Sequence, residues 1–216
     1  MFSGRHSGRF GEFVKLDTQG SEYEILQGAS RVLSERCVAV FCEVEFFHVY
    51  RDQKTLADVT CLLREHGLVL YALYPHYRSA GKLDRRAHDT EERLMWADAV
   101  FFKDPLDDLN LGKPLPSRNL LALILCALTM RFYDFALELA GRFIEDATER
   151  SLITDSVLQL GRKDRDRFLM EYRQVKDEIR SDADFLKLAK FVEMHRFNNS
   201  TEHLWAPAPA AGGGAK

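Results

Sequence analysis

The chain has 216 residues, 46% of them hydrophobic and 29% charged, with 30 Lys and Arg against 33 Asp and Glu. This balance excludes wholesale disorder, a collagen-like chain and a disulfide-dense miniature, and the length allows one domain with an appendage or two small domains. The net charge is −3, with 14 basic and 16 acidic residues up to Asp104 and 16 and 17 beyond it, so neither half is a basic nucleic-acid module.

Residues 1–12 hold no apolar run and read as a disordered N-terminus without a secretory signal. Phe13–Leu16 reads as a short strand ending at Asp17, and Thr18-Gln19-Gly20 as a turn. Ser21-x-x-Glu24 has the pattern of a capping box, opening a helix with Ile25, Leu26, Ala29, Val32 and Leu33 on one face. Val38–Phe46, rich in β-branched and aromatic residues, reads as a strand. Thr55–His66 is an amphipathic helix with Leu56, Val59, Leu62 and Leu63 inward, and Gly67 suits its C-terminal cap. Leu68–Tyr74 is the next strand. Pro75–Arg93 is a polar loop of 19 residues, long enough to imply function, mobility or a short internal element. Met95–Phe102 is a further strand. Strands alternating with helices imply a parallel sheet. No helix separates the last two strands, so the final one is expected to run antiparallel.

Residues 105–117, with Pro105, Pro114 and Pro116, read as a linker. From 118 to 205 the periodicity is helical: Asn119–Met130 and Tyr133–Asp146 as a hairpin, then Thr154–Leu160, Asp164–Ile179 and Asp184–Arg196. Tyr133-Asp134-x-Ala136-Leu137 loosely suggests one tetratricopeptide-type helix pair, but one unit is not an array, and a plain hairpin is the simpler reading. Residues 206–216 are low-complexity and read as a disordered tail. The longest apolar run, Leu120–Met130, has 11 residues, and a spanning helix needs about 20, so no membrane span is expected. Cys37, Cys42, Cys61 and Cys126 form no C-x-x-C pair and sit in apolar stretches. Buried free thiols follow, and with them a cytoplasmic compartment.

Ligands of open α/β sheets sit beyond the carboxyl ends of the parallel strands. Asp17 lies there, followed by Gly20 and a helix N-terminus whose amides and dipole suit polar or anionic groups. Glu43 and Glu45, two apart on one strand, share a face. His48 and Tyr50 follow in the loop. The candidate constellation is Asp17, Glu22, Glu43, Glu45 and His48. Each also has a plain structural reading: a turn residue for Asp17, helix-dipole compensation for Glu22, solvation or pairing with Arg64 or Arg78 for the other two glutamates, and packing for His48. His76 and His88 fall in the polar loop and read as solvated. No ligand spacing points to a metal site built on Asp17, Glu43, Glu45 and His48.

The run Phe13-Val-Lys-Leu-Asp-Thr-Gln-Gly-Ser-Glu-Tyr-Glu-Ile-Leu-Gln-Gly-Ala29 resembles the hallmark segment of FkbM-type methyltransferases. Val38–Phe46, with its Glu-Val-Glu-Phe, and Trp96–Lys103 are also similar to that family, so the resemblance covers about residues 12 to 104. It implies an S-adenosylmethionine-dependent class I fold and methyl transfer to a hydroxyl of a sugar, glycan or natural product. On this resemblance the fold is α/β: the C-terminal half of a Rossmann-like sheet, about four strands with the last antiparallel, in residues 13–104, followed by an all-helical extension. Asp17 would orient the acceptor hydroxyl or help take its proton, Glu22, Glu43, Glu45 and His48 would line the acceptor side, and Gln19 and Gly20 would touch the cofactor.

The family's Gly-rich cofactor loop has no counterpart here, because Met1–Glu12 supplies neither the apolar strand nor the helix that such a loop requires. The expectation is a gene fragment, inactive alone. The alternative is a non-catalytic α/β remnant that binds a protein partner through its helices. Either way the first strand would be an exposed edge, inviting poor solubility, dimerisation or cover from the N-terminus.

Overall fold

The computed structural model describes residues 11–48, 51–78, 93–181, 184–185, 187–189 and 191–192. Four strands form one sheet: β1 (Phe13–Leu16), β2 (Ala39–Glu45), β3 (Val69–Arg78) and β4 (Arg93–Phe102). Their order is β1-β2-β4-β3, with β1 and β2 parallel and β4 antiparallel to both neighbours. The antiparallel final strand therefore slots between β2 and β3, which run in the same direction. The fold is α/β with a mixed sheet. The third strand runs four residues past its expected end, because ladder pairing carries it through Pro75 to Arg78.

One face of the sheet is hydrophobic along the alternation Val40, Cys42, Val44 on β2 and Ala97, Ala99, Phe101 on β4. It packs on α1 (Glu22–Gly28), α2 (Ser30–Glu35) and α3 (Leu56–Glu65) through Leu26, Leu33, Val59 and Leu63, all buried. The single expected helix after Ser21 is two, divided at Ala29 next to Gly28, the weakest helix former of the run. The expected capping box does not form. Ser21 makes no side-chain cap bond, and its hydroxyl donates instead to the Thr18 carbonyl. At the start of α3 the Asp58 carboxylate does accept from the Thr55 amide and hydroxyl.

α3 ends as expected at Gly67. The Gly67 and Leu68 amides bond back to Arg64 and Leu63 carbonyls, and Gly67 takes φ +78°. Residues 105–117 are more than a spacer. A 3-10 turn at Asp108–Asn110 buries Asn110, whose Nδ2 donates to the Gly67 and Asp104 carbonyls at 2.8 Å each.

Two compact units are distinguished, Met1–Glu145 and Asp146–Lys216. The first includes the helical hairpin α4 (Ser117–Thr129) and α5 (Tyr133–Phe143). The hairpin is anchored to the sheet by rings. Phe132 and Phe135 pack on Tyr71 and Phe102 with centroids 4.7 to 5.9 Å apart. The hairpin thus covers one end of the second sheet face. In the second unit, α6 (Ala147–Asp177) is one helix of 31 residues, where two were expected. Gly161 costs a helix interior about 1 kcal/mol, which the turns on either side outweigh. Of the expected helix 184–196, the described residues are helical and the rest lie outside the described set. So do the tail 206–216 and residues 1–10 of the segment 1–12, both expected to be disordered; within that segment Glu12 is instead ordered, its carbonyl accepting from the Val38 amide and its carboxylate pairing with Arg118.

All four cysteines are free, but only Cys37 and Cys42 are buried; Cys61 is exposed on α3. Burial pushes the Cys37 thiol up to about 11 and that of Cys42 up to about 12. Among the described residues no helix is long and apolar enough to cross a membrane. On its outer side β1 has no strand partner among the described residues, and Phe13 is 45% exposed.

Candidate functional site

The sheet face opposite α1–α3 carries the polar residues. Along β1 this face bears Lys15 and then Asp17; along β2 it bears Phe41, Glu43 and Glu45. Antiparallel register sets Asp98 of β4 directly opposite Glu43, and Trp96 opposite Glu45. On the far side of β4, Tyr74 faces Asp98 and His76 faces Trp96. Two rows result, Glu43–Asp98–Tyr74 and Glu45–Trp96–His76, near the carboxyl ends of β1, β2 and β3.

Asp17 is exposed, with Lys15 Nζ 4.0 Å from its Oδ2. Gln19, held at φ +57°, reaches from the turn with its Nε2 3.4 Å from Asp17 Oδ1 and 3.5 Å from Glu43 Oε1. One amide thus spans two of the carboxylates that the sequence singles out. Partial burial, with Asp17, Glu22 and Asp98 nearby, holds the Glu43 carboxyl above its ordinary range, while His76 pulls it down. Glu45 is buried, and burial pushes it upward, opposed first by a hydrogen bond from the Gln53 side chain.

Glu22 plays a different part from lining a cleft. It is 3% exposed, and its carboxylate accepts from the Thr18 amide at 2.6 Å, the Thr18 hydroxyl at 2.9 Å and the Gly20 amide at 2.9 Å. The corner after β1 is therefore organised around Glu22. Two amides that looked open to an anionic ligand are already used, and α1 has only seven residues. His48 is exposed, and its charge acts on Asp58 at the start of α3.

Three residues join the site that the sequence reading left out: Asp98, His76 and Trp96. His76 Nε2 lies 3.4 Å from Asp98 Oδ2, and its ring stacks on Trp96 with centroids 5.3 Å apart and planes 14° from parallel. His76 was expected in a solvated loop, and β3 extends far enough to carry it. The alternation Trp96, Asp98 on β4 was a usable signal, but their partners depend on a register that one sequence does not fix. His88 lies outside the described residues, as do Tyr50 and the Arg78 side chain. Arg64 is exposed. Among the described residues no group of three or more His, Cys, Asp or Glu is arranged to hold a metal ion.

Residues 5–70 match the family model of the methyltransferase FkbM domain. The match includes β1, the Asp17–Gly20 turn and β2; Trp96–Lys103 lies beyond it. No curated protein and no solved structure matches the chain.

Proposed function

We propose that this FkbM-type methyltransferase segment forms the acceptor side of an S-adenosylmethionine-dependent O-methyl transfer, with Asp17 orienting the acceptor hydroxyl and taking its proton. Supporting this reading is the placement of Asp17 at the carboxyl end of β1, exposed and bridged by Gln19 to Glu43. A carboxylate within hydrogen-bond reach of a hydroxyl raises its nucleophilicity as the proton leaves, typically worth about 10²- to 10⁴-fold. Glu22 serves by fixing the turn that aims Asp17 and Gln19.

S-adenosylmethionine would supply an electrophilic methyl group on a sulfonium. The described residues do not fit it as a cradle. The Thr18 and Gly20 amides are bonded to Glu22, and no glycine-lined turn leads from a strand into a free helix N-terminus among the described residues. On this reading Gln19 and Gly20 belong to the acceptor corner. The acceptor class is a hydroxyl of a sugar, glycan or natural product.

Labelled S-adenosylmethionine, offered to the gene's complete translation product with methyl pyranosides and a small oligosaccharide, should yield a base-stable labelled ether. No label, or label released by mild base as an ester, would overturn O-methylation. Calorimetry of residues 1–216 with S-adenosylmethionine alone should show no binding heat. Micromolar binding would contradict the split between acceptor and donor sides.

A further inference from the structure

The stacked pair Trp96 and His76 is not explained by turn geometry, the hydrophobic core or the role of Asp17. Resting on the acceptor-side reading above, we infer that these two rings seat a neutral, hydroxyl-bearing ring, and that the site rejects acceptors carrying a phosphate or carboxylate.

Geometry supplies the platform. The indole and the imidazole are nearly parallel, one on β4 and one on β3, at directly opposed ladder positions. Asp98 holds the imidazole by its Nε2, so the pair is set before any ligand arrives. The His76 side chain is 47% exposed, leaving ring surface in contact with solvent. An aromatic surface takes the apolar C–H face of a saturated ring, while its hydroxyls need acceptors at the edge.

Those acceptors are the adjoining row. Glu43 and Asp98 stand side by side across the ladder, one row from the rings, and Gln19 links Glu43 onward to Asp17. Carboxylates accept hydrogen bonds from hydroxyls and repel anions. Against Asp17, Glu43 and Asp98 this face offers Lys15, 4.0 Å from Asp17, His76, already engaged with Asp98, and Arg131, whose charge acts on Tyr74 at the end of the row. An acceptor bearing its own negative charge would meet net repulsion beside Glu43 and Asp98, which discriminates against it through like-charge contact.

The test uses the chain with Trp205→Phe, which leaves Trp96 as the sole indole, and needs no methyl donor. Neutral methyl pyranosides should change Trp96 fluorescence saturably. Glucuronic acid and glucose 6-phosphate should bind at least about fivefold more weakly at low ionic strength, with the gap narrowing in salt. Asp98→Asn should narrow the same gap, and His76→Ala should weaken neutral binding about three- to tenfold, both with an unchanged circular dichroism spectrum. No saturable response to any pyranoside, or an equal response to the charged rings, would overturn the inference. A response to S-adenosylhomocysteine alone would also overturn it by giving the rings to the donor. Pyranoside binding without labelled ether would sink the methyl-transfer reading and leave this surface standing.

Discussion

Glu43 on β2 and Asp98 on β4 are direct partners across an antiparallel ladder, so two carboxylates share one row of the sheet face. Opposed like charges at such positions destabilise a sheet. Partial burial first, then the charges of Asp17, Glu22 and this Asp98, hold the Glu43 proton more tightly in the folded protein than in the unfolded chain.

That sets a pH dependence. Because the folded value lies above the ordinary 4.5, stability from the protonated form is fully present below about pH 4.5 and is lost as pH rises through the elevated value. Glu43→Gln should therefore stabilise the fold at pH 7 by on the order of 0.5 kcal/mol, after allowing for solvent screening. At pH 4 the difference should vanish. Urea unfolding at the two pH values measures it, and a variant less stable at pH 7 would show that the ionised glutamate is held by favourable contacts.

Removing Glu22 should destabilise the fold. Its buried carboxylate satisfies two amides and a hydroxyl in the turn between β1 and α1. Glu22→Ala removes all three bonds and strands two backbone donors, at a cost of roughly 2 to 4 kcal/mol. Unfolding free energy gives the size of the loss, and a cost under about 0.5 kcal/mol would mean that water replaces the carboxylate freely.

Gly67 combines two constraints in one residue. Its φ of +78° disfavours any Cβ, and a Cβ there would lie 2.5 Å from Asn110 Oδ1, whose side chain is fixed by two hydrogen bonds. Gly67→Ala should cost about 1 kcal/mol for the backbone alone and more for the displaced Asn110. Adding Asn110→Ala to Gly67→Ala tests the coupling: the two losses should be less than additive. Full additivity would mean that the alanine never reaches Asn110.

The sequence made the elements of the sheet legible because periodicity and turn chemistry act locally. Phe13–Leu16, Val38–Phe46 and Thr55–His66 stand within a residue or two of the observed β1, β2 and α3. Asp17 and Glu43 were visible for the same reason, one just past the end of β1 and the other near the end of β2. What one chain could not disclose was lateral. Nothing local says that β4 inserts between β2 and β3, so the row joining Glu43, Asp98 and Tyr74 and the stacking of His76 on Trp96 stayed hidden. The same limit applies to the hairpin α4–α5. Its helices were readable from periodicity, but its seat on Tyr71 and Phe102 depends on which rings the sheet presents. Sequence alone offers Glu22 as an acceptor-side residue or a helix-dipole compensator, because its three bonds form only after the turn closes.

Asp17 carries the central claim, and Asp17→Asn tests it most directly by keeping the shape of the side chain while removing its capacity to take a proton. In the gene's complete translation product, kcat for methyl transfer should fall about 10²- to 10⁴-fold, while the dissociation constant for S-adenosylmethionine stays within about threefold. An equal loss of methyl transfer and of donor affinity would place Asp17 in the donor site and contradict the account.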